Sequence, residues 1–309
     1  MAYPGEPLFV QDLPQAGGEK TVATLSPTAV RRWIRITLRR MRKAAGHEPE
    51  DVAARLGKTV QAYRHYETGT RLPSASDVEV LLNWYGFPER VPFFRQLLKA
   101  AQRGKDWWKS FPDTGVPEWF QLYLGLESNA ATISSYDAQW VPGLMQTADY
   151  ARELYRAGDR GLSDGEIATK VELRLARQPI VTREEDPLRI VCVLDEAVLY
   201  RQVGGARVMS GQLDHLGELA SRSNVEIRIL TAASGAHAGT EGTFTILDYP
   251  EEFVGDPGTV YAELRPEGRY FEEPSQVEDY RNAFRSLYEQ ADAPECTPDY
   301  LKAAKEKLR

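Results

Sequence analysis

Between Thr28 and Ala45 the apolar residues Val30, Trp33, Ile34, Leu38 and Met41 fall at i, i+3, i+4, i+8 and i+11, the stripe of an amphipathic helix. Arg31, Arg32, Arg35, Arg39, Arg42 and Lys43 occupy much of the remaining circumference. Gly46 stops this helix, and Pro49 suits the first turn of a short second one, "PEDVAARLG", where a missing N–H is harmless. Thr59 caps a third helix over Val60–Glu67, which turns Tyr63 and Tyr66 inward and Gln61, Arg64 and His65 outward. Val78, Leu81, Leu82 and Tyr85 mark a fourth. A fifth, beginning near Val91, fades into a connection near Gly104.

The pattern then changes. Helical spacing is expected from Pro117 to about Ala130, from about Gln146, from Asp164 to Gln178, and around Leu213, Leu216, Leu219 and Ala220. Ile133–Trp140 reads as a strand ahead of a tight "VPG" turn. "LRIVCVL" (188–194) is a continuous apolar run suited to burial on both sheet faces. With "NVEIRIL" it brackets a helix, a plausible parallel crossover unit. "TFTILDY", "GTVYAEL" and "GRYF" suit antiparallel strands, and Val277, Tyr280, Phe284, Leu287 and Tyr288 mark a closing amphipathic helix. The expected fold is therefore an all-α N-terminal helix-turn-helix domain followed by a larger α+β (mixed α/β) domain with one sheet of about five strands. The expected boundaries are a flexible arm at 1–26, the helical domain at 27–104 and the α+β domain at 105–309.

Charge sharpens this division. The 309 residues carry a formal net charge of −7, yet Ser26–Leu72 holds eleven Lys or Arg against four Asp or Glu, a local +7 that leaves −14 elsewhere. A basic module on an acidic body is the asymmetry expected when one end meets phosphate. No apolar run approaches the ~18 residues of a membrane span, and the N-terminal residues lack the basic-then-apolar layout of a signal peptide, so a cytoplasmic protein with no membrane partner is expected. Cys192 and Cys296 alone can make neither a disulfide framework nor a thiolate metal cluster.

Two short helices joined by "LGKT", the second with a polar outer face, suit a helix-turn-helix whose second helix enters the major groove of double-stranded DNA. "PEDVAARLGKTVQAYRHYETGTRLPSASDVEVLL" resembles the Xre/Cro family of DNA-binding domains: an alanine-containing helix, Gly, a capped recognition helix ending in an aromatic-Glu pair, then Gly-x-Arg-x-Pro. The family's usual Thr or Ser before the second helix is Glu48 here, a poor cap. Carried over by position, the resemblance implies that Val60, Gln61 and His65 approach base edges, with Arg64 beside them and Thr59 capping the helix. Gln61 can pair with an adenine, Arg64 with a guanine, and Val60 can touch a thymine methyl. Lys58, Arg39 and Arg71 read as phosphate contacts, and Glu67 as structural. One such module covers few base pairs, so a homodimer on a pseudo-palindromic site is expected.

The larger part also carries ordered blocks, "PEWFQLYLGLESNA", "WVPGLMQTADYAR", "LDEAVLYRQVGG", "VMSGQLDHLGELA" and "VYAEL", that resemble WhiJ-like actinobacterial transcriptional regulators. That resemblance implies an antitoxin-like regulator linked to development and antibiotic production, often encoded with a small acidic partner protein.

Catalytic machinery is not legible. His47, His65, His215 and His237 have no ligand spacing, "GEKT" is no phosphate loop, and Cys192 sits in an apolar strand, so no enzyme, cofactor or metal is expected. Asp195-Glu196 reads as an acid pair or as a helix N-terminal pair. In "QWVPGLMQT", Trp140, Met145 and Gln146 can present a stack, a deformable apolar surface and an amide to an effector; the block also reads as a core turn with Trp140 and Leu144 packed inward. "SGAHAGTEG" reads as a lid over a pocket bordered by Arg201 and His237, or as a plain loop. The expected function is a DNA-binding transcription regulator governed by a small-molecule effector or small acidic protein. Two alternatives stand beside it: an antitoxin-like protein that sequesters such a partner and autoregulates its operon, and a DNA-tethered enzyme.

Overall fold

The structure, a computed structural model, describes residues 25–111, 116–250, 253 and 256–308. The expected arm at 1–26 lies outside these but for Leu25 and Ser26. The chain divides into two compact units: one runs to Trp107 and includes Tyr249–Asp256, and the other comprises Trp108–Asp248 and Pro257–Arg309.

In the first unit α1 (Pro27–Ala44), α2 (Pro49–Arg55), α3 (Val60–Thr68), α4 (Ala75–Tyr85) and α5 (Val91–Arg103) surround one core. The start of α1 is fixed by Asp106, whose carboxylate accepts from the Ser26 hydroxyl at 2.6 Å and the Thr28 hydroxyl at 2.8 Å. Val30, Trp33, Ile34, Leu38 and Met41 are all buried, as their spacing predicts. The basic residues of α1 do not all stay outside: Arg32 and Arg42 are buried as well. The poor cap at Glu48 is compensated by Asp51, whose carboxylate accepts from the Glu48 backbone N–H at 2.9 Å and starts α2 where expected. Gly57, at φ +63°, makes the turn that only glycine enters without strain, and the Lys58 N–H closes α2 on the Ala53 carbonyl at 2.9 Å. The core also takes in Phe253, whose ring meets Trp33 at 5.5 Å, and Asp256, whose carboxylate accepts from Arg32 at 2.8 Å. No local pattern announces that this distant segment completes the helical unit.

The second unit is built on a six-stranded sheet: β1 (Thr132–Asp137), β2 (Arg189–Asp195), β3 (Val225–Leu230), β4 (Phe244–Asp248), β5 (Thr259–Glu263) and β6 (Gly268–Phe271), in the order β3-β2-β1-β4-β5-β6. β1, β2 and β3 run parallel, and β4, β5 and β6 continue antiparallel from β1. Ile190–Leu194 is buried throughout, as a parallel strand covered on both faces requires. The crossovers are α7 (Ala148–Gly158) with α8 (Asp164–Arg177) between β1 and β2, and α9 (Gly205–Ala220) between β2 and β3. The helix before the sheet is α6 (Glu118–Ser128), with the Tyr123 ring tilted against that of Tyr261 of β5 at 4.5 Å. α10 (Pro274–Gln290) packs Val277 and Leu287 on the face that carries Tyr136, Val193, Phe244 and Ile246. α11 (Thr297–Glu306) closes the chain. The first strand ends at Asp137, three residues before the expected Trp140, because the chain turns out of the ladder after pairing with Leu194.

Candidate nucleic-acid interface and effector face

α3 has two sides of opposite character. Inward, Tyr63 and Tyr66 are buried and each spends its hydroxyl on a carboxylate: Tyr63 donates to Glu67 at 2.7 Å and Tyr66 to Asp77 at 2.8 Å. Burial, aided by the Asp77 hydrogen bond, pushes the Tyr66 hydroxyl up to about 12. Burial opposes charge on Asp77, but hydrogen bonds from Tyr66 and Ser74 outweigh it and hold that carboxyl below its ordinary value. Glu67 also takes the buried Arg42 guanidinium, Nε at 2.6 Å and Nη2 at 3.3 Å, while Arg42 Nη1 donates to the His47 carbonyl at 2.6 Å. Glu67 thus ties α3 to α1, and Arg42 extends the tie to His47, two residues before α2.

Outward, Gln61 and Arg64 are exposed and His65 is half-buried. The Gln61 amide lies 3.2 Å from His65 Nε2, and Arg64 reaches Glu50 of α2 at 3.5 Å in an exposed pair. Exposed pairs of this kind contribute little, about 0–1 kcal/mol, so Arg64 is readily released to another acceptor. Thr59 caps α3, accepting from the Ala62 N–H at 3.1 Å. Val60 is partly turned into the core, which limits its reach toward a base. Lys58 pairs with Asp77 at 3.4 Å, Arg71 is exposed beyond the C-terminus of α3, and Arg39 lies half-buried on α1. The structure therefore gathers Thr59, Gln61, Arg64 and His65 on one exposed helix face, with Lys58 and Arg71 at its two ends.

The residues expected to meet an effector are not gathered in this way. Trp140 is 42 % exposed, with the Arg201 guanidinium over its ring at 5.2 Å. Met145 is fully buried. Gln146 is buried too, and its amide is spent internally: Nε2 donates to the Val141 carbonyl at 2.6 Å and Oε1 accepts from Arg174. The "VPG" block is thus a core turn for Leu144, Met145 and Gln146 but not for Trp140, because a turn stitched by its own amides leaves none for a partner. Beneath it Arg177 makes a buried two-point pair with Glu127, at 2.8 and 2.6 Å. A Cβ on Gly143 would lie 3.2 Å from the Arg177 guanidinium, so a larger residue here would press on the buried pair. His237 is half-buried, edge-on to Tyr136 at 5.6 Å, and its Nδ1 accepts from the Gly239 N–H at 3.1 Å. The "SGAHAGTEG" loop does border a cavity, through Ala238, Glu241 and Gly242, but neither Arg201 nor His237 lines it.

Asp137, at the end of β1, is the most perturbed carboxyl of the sheet. Burial pushes it up to about 7, against hydrogen bonds from Ser135 at 2.7 Å and the Cys192 thiol at 3.6 Å that favour its charge. The folded state holds this proton between about pH 4 and 7, where the unfolded chain has released it. Stability from this group is therefore full below about pH 4 and is lost as pH rises through about 7. Melting temperature measured across that window should show a downward component that Asp137→Asn removes; an unchanged pH slope in the variant would return the carboxyl to an ordinary value.

An all-α unit whose α3 is pinned on its inner side and polar on its outer side, and a mixed-sheet unit, define a helix-turn-helix protein with an appended α/β domain, an arrangement that suits DNA binding. A helix-turn-helix domain model matches residues 33–91. A second family model, described as a domain of unknown function (DUF5753), matches residues 120–303, more than half of the chain, and the protein belongs to that family. No curated protein and no solved structure matches it. No described helix is long and apolar enough to cross a membrane.

Proposed function

We propose that this protein is a sequence-specific transcription regulator that binds double-stranded DNA as a homodimer and is controlled by a partner or effector at the domain spanning 105–309, which itself performs no catalysis. The observation that carries the proposal is the two-sided α3: its inner face is locked by two tyrosine–carboxylate bonds, while Gln61, Arg64 and His65 stand outward on a rigid element, as base readout requires. The local +7 charge supplies sequence-independent affinity for phosphate. Burial raises the Cys192 thiol well above its ordinary value, which suits a core residue rather than a nucleophile.

The test selects bound fragments from genomic DNA with the full chain and then compares variants on selected and random duplexes. Gln61→Ala and Arg64→Ala should each lose roughly 1–3 kcal/mol of discrimination, about 5- to 150-fold, whereas Arg71→Ala should weaken both duplexes alike. Arg71 is the better phosphate control than Lys58, since Lys58 also holds Asp77. Equal losses on both duplexes for Gln61→Ala and Arg64→Ala would remove α3 as the reading helix.

A further inference from the structure

The strand order β3-β2-β1-β4-β5-β6 reverses beside β1, with β2 following on one side and β4 lying antiparallel on the other, which makes this a switch point of the sheet. In open α/β sheets ligands settle outside the carboxyl ends of the parallel strands at such a point. A cavity of about 270 Å³ lies there. Gln139, just past β1, borders it, as do Phe244 at the start of β4 and Glu263 at the end of β5, which the antiparallel register brings to the same edge.

Its walls have a distinctive chemistry. Glu241, Glu263 and Asp279 line it, and among the described residues no Lys, Arg or His does. Among the described residues no ion pair is formed by Glu241 or Asp279, and Glu263 accepts from the Tyr261 hydroxyl at 3.3 Å. The apolar wall is aromatic: Phe244 is buried, and the Tyr280 ring stands edge-on to it at 5.1 Å. Carboxylates around aromatic faces attract a cation through both charge and ring quadrupole. A metal ion fits poorly, because no three acidic, His or Cys side chains of the described residues converge closely enough to hold one. The volume lies below the roughly 300–1,000 Å³ of drug-sized sites, so the occupant is small.

We infer that this cavity binds a small organic cation, an aliphatic amine whose ammonium sits among Glu241, Glu263 and Asp279 and whose carbon chain lies against Phe244 and Tyr280. The inference deepens the proposed effector role of this domain and names its ligand class.

Titration calorimetry on the full chain tests it with 1,4-diaminobutane, butylamine and the neutral 1-butanol. Both amines should bind, with affinity falling as salt rises, and 1-butanol should not. Glu241→Gln with Asp279→Asn, both exposed positions, should weaken amine binding at least about tenfold without moving the melting temperature. Tyr280→Leu should weaken the amines while leaving their salt dependence intact. Absence of amine binding, equal binding of 1-butanol, or an unaltered affinity in the carboxamide double variant would overturn the site. Repeating the DNA titration with 1,4-diaminobutane present separates the two claims: amine binding without a change in DNA affinity keeps the site and removes its effector role.

Discussion

Glu67→Ala should abolish the DNA binding proposed for this protein by unseating α3, although Glu67 lies on the inner side of that helix. Arg42 is almost wholly buried and spends two guanidinium contacts on Glu67, and the Tyr63 hydroxyl spends its proton there too. Removing one partner of a buried pair leaves a charge without compensation and costs roughly 3–5 kcal/mol. For a unit of this size each kcal/mol lowers the melting temperature by about 4–8 °C, so a loss beyond about 12 °C is expected in the transition of the helical unit. Glu67→Gln keeps an acceptor for Tyr63 and should lose less. The measurement is thermal unfolding followed by near-ultraviolet circular dichroism, beside binding to selected DNA. A Glu67→Ala protein that melts within about 2 °C of the parent would show that the pair contributes nothing to seating α3.

The counterpart in the second unit is Glu127→Ala. Arg177 is almost wholly buried, held by both Glu127 oxygens and flanked by the rings of Phe120 and Tyr123 at 5.5 and 5.6 Å. Attraction to Glu127 outweighs burial and raises the Arg177 pKa; a guanidinium is not deprotonated in proteins, so without Glu127 it stays charged and buried with that attraction lost. A loss of roughly 3–5 kcal/mol is again expected, and the turn at Pro142–Gly143, which rests on this guanidinium, should loosen with it. Replacing the pair together, Glu127→Leu with Arg177→Met, should recover most of the loss, because well-packed apolar residues substitute for a buried pair at little cost. If the double variant were no more stable than Glu127→Ala, the pair would be acting through shape rather than charge.

Local periodicity and local charge were legible in the linear chain. Val30, Trp33, Ile34, Leu38 and Met41 announced α1 and are all buried, because a 3.6-residue repeat has one way to hide its apolar side. The outward placement of Gln61 and Arg64 followed from Thr59 as cap and from the inward spacing of Tyr63 and Tyr66. The unbroken run Ile190–Leu194 announced a strand covered on both faces. What depended on residues far apart in the chain was decided only by the tertiary structure. Buried Arg32 and Arg42 look like surface charge until Asp256 and Glu67 are brought to them. Met145 and Gln146 look like a recognition element until Gln212 donates to the Met145 carbonyl at 2.7 Å and Val141 and Arg174 occupy the Gln146 amide. The acid-lined cavity joins residues from β5, α10 and the loop before β4, and none of those stretches marks a site alone. Periodicity reports which side of an element is hidden. What it is hidden against is set by strand order and by pairings across scores of residues, for which a linear pattern carries no term.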